Sequence, residues 1–203
     1  GLALESVRTR DSALARQVVA GDRRLDAMEM KLEEAAIQTL ALRQPVAGDL
    51  RQVVAALKIA STLERIGDLA KNVAKRATYL NRGQPLKIAA SVVRMGTQTQ
   101  TLVAEVLDAY TARDTALAVS VWRRDVEIDE MYNSLFRELI TYMMEDPRVI
   151  GLCSQLLFVA KNLERIGDHA TFISEMTYYV VEGKPLGDGR PKGEPYGDLP
   201  GGV

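Results

Sequence analysis

Histidine and cysteine each occur once in this chain of 203 residues, as His169 and Cys153. A single cysteine excludes an intramolecular disulfide and fits a reducing compartment. It reads as a small apolar packing residue rather than a reactive thiol. One histidine and one cysteine leave little material for a catalytic triad. No strand pattern is visible, and no glycine-rich phosphate loop follows one. No run of about 18 apolar residues offers a membrane span, and the N-terminal residues carry no secretory signal pattern. With 26 basic and 27 acidic side chains the net charge is −1, so no global basic field points to nucleic acid. What remains is 47% hydrophobic and 26% charged, the composition of a soluble globular protein expected in the cytoplasm. It is long enough for one large domain or two small ones. These absences favour a binding protein over an enzyme.

What is present is a repeat. Glu64-Arg65-Ile66-Gly67-Asp68 recurs one hundred residues later as Glu164-Arg165-Ile166-Gly167-Asp168. At the same offset Leu57, Ala60, Leu63, Ala70, Tyr79, Gly83, Pro85 and Leu86 return as Leu157, Ala160, Leu163, Ala170, Tyr179, Gly183, Pro185 and Leu186. A fixed period of this kind marks a duplicated supersecondary unit.

Proline and glycine divide the chain cleanly. Pro45, Pro85 and Pro147 separate intervals with helical patterning, whereas Pro191, Pro195 and Pro200 crowd the C-terminus. The spacing predicts helices over about 12–43, 46–79, 86–111, 114–145 and 148–181, with Asp11 or Ser12 and Asp114 as N-caps. The expected inward stripes are Leu14, Val18, Leu25, Leu32, Ala36 and Leu40 on the first, and Leu50, Val53, Leu57, Ala60, Leu63, Ile66 and Ala70 on the second. The fold expected is all-α, with two tandem three-helix bundles at 1–83 and 84–182. Aligning Asp11 with Asp114 leaves only the stub Leu2–Thr9 for the first helix of repeat one, which is expected to be truncated; a genuinely short helix would instead leave one flank of that bundle open. Residues 183–203 hold seven of the 15 glycines and are expected to be disordered.

A second acidic pair precedes each pentapeptide: Asp22 and Asp26 in the first repeat, Asp125 and Asp129 in the second, 103 residues on. Spacing of i, i+4 puts both members of a pair on one helix face. Asp129 shares a register with Tyr132, Phe136, Leu139 and Met143, and Asp26 with Ala36 and Leu40, which sets these acids on the expected apolar seam. An unpaired buried carboxylate costs several kcal/mol, on the order of a domain's whole stability. Four in one bundle require protons, basic side chains or metal ions. All-oxygen ligands select hard cations, namely iron, Mg²⁺, Mn²⁺ or Ca²⁺. The candidate ligands are Asp22, Asp26, Glu64 and Asp68, and Asp125, Asp129, Glu164 and Asp168, with His169 a neighbour of the second set. Arg65 and Arg165 lie about 100° round the helix from Glu64 and Glu164, so the balancing charge is expected from elsewhere. Gly67 and Gly167 cost about 1 kcal/mol each relative to alanine in mid-helix, and are expected to admit a neighbouring helix or a bound cluster.

The segments Ala41-Leu42-Arg43-Gln44-Pro45-Val46-Ala47-Gly48-Asp49-Leu50-Arg51, Leu63 to Ala70 and Asn162 to Ala170 resemble the PhoU family of phosphate-transport regulators. The likeness covers residues 11–186. It implies tandem three-helix bundles, each holding a hard cation or a multinuclear metal cluster through its own four of the eight carboxylates already named. It further implies restraint of the phosphate-starvation response and of phosphate uptake. The implied partners are a phosphate ABC-transporter ATPase subunit and a sensor histidine kinase, with a homodimer as the working form and the membrane reached only through those partners. Leu69 departs from the family pattern, which often has histidine there. Two rival readings are a ferritin-like di-metal or metal-storage bundle and a metal-free scaffold. The first needs Glu-x-x-His pairs, and the residue three after Glu64 or Glu164 is glycine.

Overall fold

In the computed structural model residues 1–187 are described, and among them every regular element is helical. The elements are α1 (Leu2–Arg8), α2 (Ser12–Arg43), α3 (Ala47–Leu80), α4 (Ala89–Ala112), α5 (Thr115–Glu145) and α6 (Ile150–Glu182), with a 3₁₀ turn at Pro147–Val149 before α6. The all-α expectation holds, and the predicted ends fall within a few residues of the observed ones. The expected disorder of the C-terminal tail lies outside the described residues from 188 onward.

Local chemistry explains where the helices begin. Asp11 accepts from the amides of Ala13 and Leu14 at 2.7 and 3.0 Å, and Asp114 from Leu117 at 2.9 Å. Each carboxylate satisfies amides that the first turn leaves without intrahelical partners. At the far end of α3, Arg10 Nη2 donates to the carbonyls of Leu80, Asn81 and Gly83 at 3.2, 3.0 and 2.5 Å. One guanidinium thus closes the C-terminus of α3 and pins the α1–α2 corner against it.

Helices α1–α3 and α4–α6 form the two units of the repeat, and α3 and α6 carry them against each other. Arg76 on α3 donates to Gln155 on α6 at 2.8 Å and stacks over Phe158 at 4.2 Å. At the other end Gly183, just past α6, lies against the Arg51 guanidinium at the start of α3. The two helices therefore run antiparallel. One apolar cluster passes through both units, drawing on Ile59, Leu69 and Val73 from α3, Val92 and Val106 from α4, Ile128 and Leu139 from α5, and Leu156 and Ile173 from α6.

The seam shifts two of the expected stripes. On α3 the buried side chains are Ala55, Ile59, Thr62, Leu69, Val73, Ala74, Ala77 and Leu80. Leu50 is exposed, and Val53, Leu57, Ala60, Leu63, Ile66 and Ala70 are only partly covered. On α2 only Ala15 and Ala36 are buried. Leu32 and Ile37 stay 37% and 57% exposed. α1 is seven residues long and packs on α2, α3 and α4, while α4 spans 24 residues over α5 and α6.

This difference has a direct consequence. Leu139→Ala, at a wholly buried site, is expected to cost about 2–5 kcal/mol of unfolding free energy. Ile37→Ala on the open flank of α2 should change it by no more than about 0.5 kcal/mol. Urea unfolding followed by circular dichroism measures both.

Candidate functional site

Each acid pair on α3 or α6 meets its partner pair across the groove to α2 or α5. In the first unit Glu64 is half-buried, and its carboxyl is pushed above the ordinary carboxylate range. Burial is the largest cause, followed by the negative charges of Asp68, Glu29, Asp26 and Asp22. All four predicted acids of the first set therefore share one electrostatic site. Glu29 is a fifth member that the sequence reading missed; its signal was its place three after Asp26 and seven after Asp22 on the same helix face.

The sequence reading also missed the charge that answers these acids. Lys71, three after Asp68, binds Asp22 and Asp68 together, the contact with Asp68 being 2.5 Å. Its ammonium is held above the usual lysine range, first by the hydrogen bonds to Asp22 and Asp68. Arg65 is exposed and takes no part.

The second unit is built differently. Asp125 is fully buried on α5, in line with Ala118, Val121, Ile128, Leu135 and Leu139. Asp129 is only half-buried, so the seam of α5 runs through Asp125, not through Asp129 as the heptad reading has it. Glu164 is 13% exposed, and Oε1 accepts from Lys161 at 2.7 Å. Its other oxygen, Oε2, is buried without a hydrogen-bond partner. Burial raises its carboxyl most; Lys161 opposes that shift, while Asp168 and Asp129 add to it. Lys161 also lies 5.1 Å over the ring of Tyr132, the residue that stands where the first unit has Glu29. Thr171 stands where the first unit has Lys71, and its hydroxyl donates to the backbone carbonyl of Asp168 at 2.7 Å. The second cluster thus has no internal ammonium corresponding to Lys71.

The two mid-helix glycines serve close approach. A Cβ at Gly167 would lie 2.5 Å from Asp125 Oδ1, and one at Gly67 would lie 2.2 Å from Leu25 Cδ2. In the second unit the bare backbone of α6 is what lets the Asp125 carboxylate sit against it. In the first, the neighbour is the end of a flexible leucine. His169 faces away from the carboxylates, toward Lys58, Ser61, Thr62 and Arg65 of α3. Burial lowers its basicity, followed by Arg65 and Arg165, with Asp168 acting the other way. Cys153 is buried and free.

The donors present suit a hard cation: oxygen atoms only, with the carboxyls of Glu64 and Glu164 disfavouring ionisation and Glu164 Oε2 buried without a hydrogen-bond partner among the described residues. Among the described residues no three carboxylate, imidazole or thiol side chains already form a closed ligand cage. Side-chain rotation, and in the first unit displacement of Lys71, would have to accompany binding.

The fold and its grooves define a class: a duplicated helical bundle with an acidic groove in each half. Comparison with known proteins gives the family. The PhoU domain profile matches residues 1–77 and 92–177. A phosphate-specific transport system accessory protein PhoU homolog of Caulobacter vibrioides is 53% identical over 190 residues, which cover 93% of this chain and 83% of that protein. The homolog of Rhizobium meliloti is 50% identical over 184 residues, covering 90% and 77%. Among solved structures, PhoU from Pseudomonas aeruginosa superposes with a TM-score of 0.87 at 42% identity, covering 90% of this chain and 88% of that one. The phosphate transport system regulatory protein PhoU of Streptococcus pneumoniae gives 0.84 at 28% identity, covering 91% and 87%. The chain belongs to the PhoU family.

Two tests follow from the site geometry. Gly67→Ala gains helix propensity against a movable leucine, so it should be neutral or stabilising by up to about 1 kcal/mol. Gly167→Ala must displace Asp125 from the α6 backbone and should destabilise by about 1–3 kcal/mol despite the same gain. Chemical denaturation of the pair decides. The second test concerns pH. Because the folded state raises the Glu164 carboxyl, it binds protons more tightly than the unfolded chain does. Metal-stripped protein should therefore gain stability as pH falls from neutral through the raised folded value toward 4.5, the ordinary glutamate value. Glu164→Gln should raise stability at neutral pH and flatten that part of the profile, as read from melting temperature against pH.

Proposed function

We propose that this protein is a cation-dependent negative regulator of phosphate uptake and of the phosphate-starvation response, acting by contact and not by catalysis. Relatives named as accessory or regulatory proteins of phosphate transport support the general role. The observation that carries the cation dependence is the buried Glu164 Oε2, lacking a partner beside further carboxylates on two packed helices. Asp125, Asp129, Glu164 and Asp168 would hold iron, Mg²⁺, Mn²⁺ or Ca²⁺ in the second unit, and Asp22, Asp26, Glu64 and Asp68 in the first. A bound cation would neutralise the acids and offer coordination to a partner's carboxylate or phosphate group. The partners that fit this reading are a phosphate-transporter ATPase subunit and a sensor histidine kinase in the cytoplasm, with the regulator as a homodimer. Among the described residues no helix is long and apolar enough to cross a membrane, so membrane proximity would come through those partners. A ferritin-like oxidase fits less well, since His169 turns toward α3 instead of the acids.

The two sites should differ, because Lys71 already occupies the first. Adding Mn²⁺ or Fe³⁺ to chelator-treated protein should raise its melting temperature, by about 2.7 kcal/mol in free energy at a hundredfold excess over Kd for one site. Asp168→Ala should remove most of that response and Asp68→Ala less, while Lys71→Met should strengthen cation binding in the first unit. No response in any of these proteins would refute the cation sites. In cells, deleting the gene should switch on phosphate-starvation genes in phosphate-rich medium; unchanged repression would refute the regulatory reading.

A further inference from the structure

The seam between α3 and α6 holds a second kind of site, opposite in charge to the grooves. One face of α3 presents Lys58, Ser61, Thr62 and Arg65, spaced to lie together on consecutive turns. His169 and Phe172 of α6 close the other side, around a cavity of about 360 Å³. The lining is one ammonium, one guanidinium, an imidazole, two hydroxyls and an apolar ring. Thr62 spends its hydroxyl hydrogen on the Lys58 carbonyl at 2.8 Å, which fixes its oxygen at the cavity wall and leaves donation to Ser61, Lys58, Arg65 and His169. No carboxylate among the described residues forms a salt bridge with Lys58 or Arg65. This sets them apart from Lys71 and Lys161, which are committed to acids.

The repeat makes the arrangement more pointed. Had the pocket merely followed from duplicated helix packing, its counterpart at the other end of the seam would match it. There Phe158 replaces Lys58, Lys161 replaces Ser61, Asn162 replaces Thr62, Leu69 replaces His169 and Asn72 replaces Phe172. Of the four donors only the arginine, as Arg165, is kept, and Phe158 is engaged with Arg76. At that end the ammonium of Lys161 is committed to Glu164, and no imidazole stands beside the arginine.

We propose that this pocket binds a small tetrahedral oxyanion; the choice of inorganic phosphate as its physiological occupant rests on the phosphate-uptake role proposed above. Arg65 and Lys58 supply charge-assisted hydrogen bonds to the anion's oxygens, Ser61 and His169 complete the donor set, and Phe172 limits water on one side. The pocket lies across α3 and α6 from the carboxylate grooves, so it works without a cation there.

Equilibrium dialysis of radiolabelled inorganic phosphate against chelator-treated full chain, at ionic strength fixed with chloride, is the test. A single saturable class of sites is expected, with sulfate competing for it. Arg65→Gln and Lys58→Gln should each weaken binding about tenfold, the effect of losing one charge-assisted hydrogen bond. Arg94→Gln, an equal charge change on exposed α4, should leave it unchanged. Both pocket residues are exposed on α3, so unaltered melting temperatures would show that the variants fold. Phosphate retention that does not saturate, or that falls equally in all three variants, would overturn the proposal. Because the measurement contains chelator, neither outcome depends on whether the carboxylates bind metal.

Discussion

Packing acids against acids along a helical groove is the constraint on which the rest of this structure turns. An i, i+4 carboxylate pair on one helix is tolerable in water. Two such pairs brought together between packed helices are not, because desolvation and mutual repulsion act in the same direction on every member. The two halves of the molecule meet the constraint with different means. The first sets Lys71 between Asp22 and Asp68. The second closes around Asp125 and Glu164, gives Lys161 to one oxygen of Glu164, and leaves the other buried without a donor. The second unit therefore carries the larger unmet electrostatic demand. A proton, a water molecule or an external cation could meet it.

Much of the architecture was legible because it rests on local rules. The ends of the helices follow from Asp11, Asp114, Pro45 and Pro147, which act through neighbouring amides and fixed backbone angles. The two-unit fold follows from the repeat. The acid sets were legible for the same reason, since i, i+4 spacing and duplication are both properties of the chain alone. The phase of burial was not. Sequence periodicity locates an apolar stripe, but which edge of it is buried depends on the neighbour. On α3 the neighbour is α6, which draws Ala55, Ile59 and Thr62 inward and leaves Leu57 and Ala60 half-covered. On α5 the same effect buries Asp125 more deeply than Asp129. Lys71 and Lys161 escaped notice because each looks like an ordinary solvated lysine three residues from an acid. Only the position of the facing helix turns one into a bridge between two carboxylates.

The duplicated pentapeptide can now be read residue by residue. Glu and Asp, four apart, turn to the outer groove. Ile packs toward the core, half-covered in the open unit and buried in the closed one. Gly removes the side chain where the neighbouring helix, or its carboxylate, comes closest. Arg points the remaining way, about 100° from Glu, and at Arg65 that direction leads to the mouth of the seam pocket. Five consecutive residues thus divide one helix into an acidic side, an apolar side and a basic side. Every turn of a packed helix has these three directions to assign. A charge separation of this kind holds only if the helix cannot rotate, and the fit of the glycine backbone against its neighbour supplies that restraint. The wholly buried carboxylate of Asp125 is pressed on Gly167 in the unit whose glutamate oxygen has no partner, whereas Gly67 meets only a leucine end. The restraint is thus most rigid where the electrostatic demand is greatest, which is the arrangement expected if position along that groove, and not stability alone, is what the second unit maintains.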